Sequence, residues 1–249
     1  MFESLFSELS LQAQFVHLWL SYLSPVRDHD GHLEACLSEA EVAHADRFIK
    51  ESDRQKYIAG RVIVRNLLAR YLGHSPEEIV FLTGTHGKPY LKNFPLHFNF
   101  SHVGDYLLLG VTRDQAIGVD IEHHRDSKDH MEIAKRFFAP SEYAQLIAQP
   151  VLAQTRYFYQ YWTLKEAFIK ATGQGLSFGL SNFEVSVAEQ ILLDPPFSTG
   201  RGNCLLSVHG DVAAVKDWTL QSVIFPELPN YFGAFCVEGQ CNGVKFYVY

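Results

Sequence analysis

Positive charge is scarce in this chain. Its 249 residues carry 21 Lys and Arg against 28 Asp and Glu, for a net charge of −7 and a pI near 5.9. Non-specific DNA or RNA binding needs a basic footprint, so a nucleic-acid partner is not expected. Long apolar runs are also missing: no stretch reaches the ~18 residues of a membrane span, and the start Met1-Phe2-Glu3 has no basic n-region. The cysteines (Cys36, Cys204, Cys236, Cys241) form no CxxC pair. Free thiols in a reducing compartment are therefore expected, and with them a cytoplasmic protein that makes no membrane contact. Twelve histidines include no HExxH, and the neighbours His123 and His124 would point to opposite faces of a strand, which argues against a zinc site.

What is present is a core. With 47% hydrophobic residues, the chain can build one large domain or two of about 110–140 residues. Apolar residues at period two predict a first strand over 16–20, preceded by an amphipathic extension over 1–14. From 38 to 72 the pattern is helical. Ser38 and Glu41 have the spacing of a capping box, and a second helix over 52–72 stops at Gly73. Strands follow at 79–82, 98–101 and 106–112, with the turn-rich Thr83-Gly84-Thr85-His86-Gly87-Lys88-Pro89 between the first two. Residues 112–115 are the expected boundary between halves. Beyond it come a strand at 117–121, helices near 131–137 and 141–148, a long helix over 154–172, and short strands to the end. Helices with small antiparallel sheets in both halves predict an α+β fold.

Local charge has to hold any anionic ligand. Seven bases (Arg47, Lys50, Arg54, Lys56, Arg61, Arg65, Arg70) face two acids (Glu51, Asp53) between positions 47 and 70, and either a solvated helix face or a ligand surface accounts for them. Asp120 and Glu122 in Gly118-Val119-Asp120-Ile121-Glu122 project to the same side of a strand, while Val119 and Ile121 go to the core. Two carboxylate oxygens on one face suit a hard divalent cation. Magnesium accepts one or two carboxylates and completes its octahedron with water and phosphate oxygens. On the long helix, Tyr157, Tyr161, Leu164, Phe168 and Ala171 form the core stripe, with Tyr159, Thr163, Glu166 and Lys170 opposite. The bland account of Glu166 and Lys170 is an exposed i,i+4 ion pair contributing ~0.3–0.5 kcal/mol. Against that account, Phe158, Trp162 and Ile169 extend the apolar surface around the pair, and this predicts a cleft.

Four segments, in order, carry a resemblance: Gly87-Lys88-Pro89; Phe98-Asn99-Phe100-Ser101-His102; Gly118-Val119-Asp120-Ile121-Glu122; and Trp162-Thr163-Leu164-Lys165-Glu166-Ala167-Phe168-Ile169-Lys170. Together they resemble the GKP, FNxSH, GxDxE and WxxKEAxxK motifs of 4′-phosphopantetheinyl transferases of the Sfp type, over roughly residues 16–240. The resemblance implies a pseudo-twofold monomer of two similar subdomains, 1–113 and 114–249, with coenzyme A between them. It also implies Mg2+ on Asp120, Glu122 and Glu166, and catalytic roles for Glu166, Lys170 and His102. Coenzyme A contacts would come from Lys88, Pro89, Ser101, His102, Lys165 and Lys170. For the 3′-phosphate, Arg54, Arg61 and His44 stand beside Arg47 and Lys50. The partner would be an apo acyl or peptidyl carrier protein, docked in part on the segment holding Lys128, Met131 and Lys135. A binding module without chemistry and a magnesium-dependent pyrophosphate hydrolase are the competing classes.

Overall fold

A computed structural model of the protein describes residues 9–23, 34–127, 129–187, 198–199 and 204–249. Residues 1–8 of the expected extension and Lys128 lie outside these. In chain order the strands and helices are β1 (Phe15–Tyr22), α1 (Glu39–Ala45), α2 (Glu51–Leu72), β2 (Phe81–Thr83), β3 (Pro89–Leu91), β4 (His97–Val103), β5 (Tyr106–Thr112), β6 (Ile117–His123), α3 (His130–Phe137), α4 (Pro140–Ile147), α5 (Val151–Thr172), β7 (Phe183–Val185), β8 (Ser198–Thr199), β9 (Leu205–Val208), β10 (Trp218–Ile224), β11 (Tyr231–Glu238) and β12 (Gly243–Val248). The fold is mixed α+β.

Two four-stranded sheets make its centre. The first runs β12-β1-β5-β4, antiparallel except that β12 lies parallel to β1; the second runs β6-β11-β10-β8 and is antiparallel throughout. Strand alternation sorts the side chains. Leu107, Leu109 and Val111 of β5 join Trp19, Phe98 and the α2 residues Val64, Leu67 and Leu68 in one core. Leu108, with Val16, Leu18 and Leu20, faces Ile117, Val119, Ile121, Phe235 and Val237 of the second sheet. The far face of that sheet packs on α5, whose Tyr161, Leu164 and Phe168 share a third core with Phe138, Phe183 and Cys236. The order of layers is helix, sheet, sheet, helix.

The two long helices end alike. Gly73 and Gly173 take up left-handed φ of 67° and 68°, and each N–H bonds back to a carbonyl of the last turn, at Ala69 and Ile169. The Ser38–Glu41 capping box forms as its spacing predicts. The strand expected over 79–82 is displaced to 81–83 because Ser75 and Glu78 cap a short 3-10 turn whose last N–H, at Ile79, bonds to Pro76. The long helix begins at Val151 rather than 154, behind Pro150. Its face opposite the core stripe is not open: Tyr159 and Thr163 are buried because the second sheet lies against them.

Candidate active site

Strand β6 forms the edge of its sheet, paired only with β11 on one side. Its other side meets β4 and the end of α5. Gly118 makes this close approach possible. A Cβ there would stand 2.1 Å from the Ala167 carbonyl oxygen and 2.3 Å from the Ala171 nitrogen, both backbone atoms that have no room to withdraw. With α5 seated directly on β6, alternation points Asp120 and Glu122 toward the helix.

Asp120 is buried, and its Oδ1 accepts from Lys170 Nζ at 2.6 Å and from Ser101 Oγ at 2.9 Å. Lys170 also donates to Ser101 Oγ at 3.1 Å, so two of its three N–H bonds are used and one remains. The exposed Glu166–Lys170 ion pair of the bland account is therefore not formed, because the ammonium turns to Asp120 instead. Glu166 stays half-buried beside them. Burial raises its pKa, with Asp120's charge adding to the rise and Lys170 opposing it. Glu122 is pushed up to about 7, chiefly by burial and next by Asp120. Asp120 Oδ2 is buried without a hydrogen-bond partner.

Lys88, Asn99, Glu166 and Lys170 line a cleft of about 220 Å³ with His86, Gly173 and Leu176. Lys88 Nζ donates to the carbonyls of Ile117 (2.8 Å) and Ala171 (3.2 Å), and desolvation lowers its pKa to about 8. Asn99 sits two residues before Ser101 on the same face of β4, and its Oδ1 accepts the Val119 N–H at 2.9 Å. No role was assigned to Asn99 from the sequence. The signal available in the sequence is an asparagine two positions before a site serine, inside a strand, where asparagine is disfavoured.

Other expected site residues go elsewhere. Lys165 points away from the cleft into the α5 core. Its Nζ is fully buried, 2.7 Å from Glu142 and bonded to the carbonyls of Leu180 and Phe183. On a helix so nearly enclosed, one residue of rotation separates the two sides, and Lys165 cannot reach what Glu166 and Lys170 reach. His102 lies on the opposite face of β4 from Ser101, in a small cavity with Lys56, Tyr57, Arg61 and Phe100. Partial burial of the ring and the charge of Lys170 both lower its pKa. Arg61 also borders a larger cleft of about 420 Å³ with His44, Tyr57, Arg65 and Phe81, where both arginines pair with the buried Glu41. Arg54 pairs with Asp46 at 3.5 Å, and Pro89 opens β3 opposite Thr83. Lys135 is exposed on α3, whereas Met131 packs on the core.

Comparison with known proteins identifies the family. The profile of the 4′-phosphopantetheinyl transferase superfamily matches residues 116–209, and that of a 4′-phosphopantetheinyl transferase N-terminal region matches 23–113. The psf-1 4′-phosphopantetheinyl transferase of Bacillus pumilus is 38% identical over 222 residues, covering 87% of both chains. The chain belongs to the 4′-phosphopantetheinyl transferase family. Similar phosphopantetheinyl transferases include HetI of Nostoc sp., 39% identical over 68% of this chain and 73% of its own, and Sfp of Bacillus subtilis, 38% identical over 61% and 68%. In this transferase the clustered carboxylates outnumber the one ammonium among them, and that imbalance suits a hard cation. Among the described residues no three His, Cys, Asp or Glu side chains form a ready-made metal cage. A magnesium ion that takes its remaining ligands from water and substrate phosphate does not need one.

Proposed function

We propose that this transferase moves the 4′-phosphopantetheine group of coenzyme A onto a serine hydroxyl of an apo acyl or peptidyl carrier protein, with magnesium, and releases 3′,5′-ADP. The observation that carries the reading is the orphaned Asp120 Oδ2, flanked by Glu122 and Glu166 with raised pKa values. Three carboxylates share one ammonium there, an excess of negative charge that suits a cation. Magnesium on Asp120, Glu122 and Glu166 would neutralise the cluster and polarise the pyrophosphate oxygens.

The protein's own groups do the rest by position. Lys170, fixed by Asp120 and Ser101, has one N–H left for a phosphate oxygen, where charge accumulates as the bond to the leaving oxygen breaks. The carrier serine oxygen attacks the β-phosphorus, its proton passes to Glu166, and 3′,5′-ADP departs with the bonding electrons. His102 and Arg61, on the other face of β4, would receive the phosphates of the nucleotide end, with His44 at the rim of the larger cleft.

We also read the molecule as a cytoplasmic monomer of two subdomains meeting near residue 113 and related by a pseudo-twofold axis. In support, each sheet carries one 22-residue helix on its outer face, closed by a left-handed glycine. The four cysteines are free, and no helix among the described residues is long and apolar enough to cross a membrane.

The test is one incubation with coenzyme A, magnesium and an apo carrier, followed by intact mass measurement. The carrier should gain one phosphopantetheine group, and a chelator should stop the gain. Release of 3′,5′-ADP with an unmodified carrier would replace this reading with a hydrolase.

A further inference from the structure

Antiparallel edge strands present the N–H and C=O of alternate residues outward, and a strand that keeps its register needs partners for them. On β6 the outward groups include the Ile117 carbonyl and the Val119 N–H, two residues apart. Among the described residues no strand covers them. Instead Lys88 Nζ donates to Ile117 O at 2.8 Å, and Asn99 Oδ1 accepts Val119 N–H at 2.9 Å. Both side chains come from the first half of the chain, one from the loop before β3 and one from β4. Lys88 has a further bond, to Ala171 O at 3.2 Å, so the same ammonium joins the edge of β6 to the last turn of α5. That turn carries Lys170, and the residue after Val119 is Asp120.

We propose that Lys88 and Asn99 stand in for a missing strand at the open edge of β6 and act as positioning residues that hold Asp120 and Lys170 in register. The inference rests on the transferase reading for its importance to turnover, but it departs from the expectation that Lys88 grips phosphate. Two of its three N–H groups already serve carbonyls, which fixes where the ammonium sits and leaves at most one N–H for any phosphate. Asn99 does the complementary work on the donor side. Together they satisfy one acceptor and one donor of the strand, as a neighbouring strand would.

Amide exchange and coenzyme A affinity are two readouts that need neither carrier nor turnover, and turnover on an apo carrier is set beside them. The first is amide exchange of the 116–123 segment. Asn99→Ala should raise exchange at Val119 at least ~10-fold, whereas Asn99→Asp, which keeps an acceptor oxygen there, should stay within about 3-fold of wild type. The second is coenzyme A affinity by calorimetry on Lys88→Met. A positioning role predicts affinity within about 3-fold of wild type and turnover reduced ~10–100-fold, the range for residues that orient a metal ligand. If Lys88→Met fails to fold, Lys88→Gln, neutral but able to serve one carbonyl, is measured in its place. A 10-fold or greater loss of coenzyme A affinity with unchanged β6 exchange would make Lys88 a phosphate ligand and overturn the proposal. So would unchanged Val119 exchange in Asn99→Ala. A wild-type protein that does not bind coenzyme A would instead overturn the functional reading and leave the edge bonds as they are.

Discussion

Glu122→Gln should make the metal-free protein more stable, and only above a certain pH. The Glu122 carboxyl titrates at about 7 in the fold against 4.5 for the unperturbed group, chiefly through burial and then through the charge of Asp120. A raised acid pKa means that the folded state holds its proton longer than the unfolded one. Wild-type stability then falls as pH climbs from 4.5 to about 7 and levels off above that. At ~1.4 kcal/mol per pH unit, the full loss is ~3 kcal/mol. Glutamine imitates the protonated acid at every pH, so the variant escapes the loss. At pH 8 without metal its melting temperature should exceed wild type by roughly 5–10 °C for a chain of this size, and at pH 4 the two should coincide. Magnesium at pH 8 should narrow the gap, because it relieves in the wild type the repulsion that the substitution removes, while turnover of the variant falls. The assay is thermal melting at pH 4 and pH 8, with magnesium or with chelator. A variant that is destabilised at pH 8, or that gains equally at both pH values, would refute the account of the acidic cluster.

Glu166→Gln should lower turnover more than 100-fold at saturating magnesium while coenzyme A affinity changes far less; a variant within a few-fold of wild type in turnover would make Glu166 a surface residue. Gly118→Ala should cost more than ~3 kcal/mol in urea unfolding, since its Cβ meets only backbone of α5, and a loss under ~1 kcal/mol would mean that the helix can lift off the strand freely. Glu142→Gln and Lys165→Met should each cost ~3–5 kcal/mol by leaving a buried charge unpaired, and the double variant less than their sum. Additive losses would show that the pair acts as two independent groups.

Much of this architecture is legible in the residues. A period-two run marks β1, a short apolar run marks β5, the alternation of Val119 and Ile121 with two acids marks β6, the spacing of Ser38 and Glu41 marks the start of α1, and Gly73 and Gly173 mark the ends of α2 and α5, because each signal is local chemistry. The acids of the site are legible for the same reason: Asp120 and Glu122 share a face whatever surrounds the strand. Local pattern cannot supply which side of a buried helix meets which neighbour. Lys165 and Glu166 are adjacent, both charged, and turned about 100° apart around α5, enough to send one into the core and the other to the cleft. Only the placement of Glu142 on α4 gives Lys165 its partner. The same limit hides Asn99, whose role depends on an edge amide 20 positions along the chain. It also hides the parallel pairing of β12 with β1, for which neither strand carries a mark.

That last pairing governs how the molecule could be divided. The subdomain boundary proposed near residue 113 invites a split-protein reporter cut at that point, with each fragment fused to one member of an interacting pair. Here the cut would strand β12 on the wrong piece. A fragment of residues 9–113 would present β1 with its Phe15-to-Leu20 edge bare, where Gly243 to Val248 belong, and a bare strand edge recruits other copies of itself. Reassembly of such fragments would proceed by strand insertion and would be slow to reverse. A usable pair would place the six residues of β12 on the N-terminal piece, through a linker or by circular permutation.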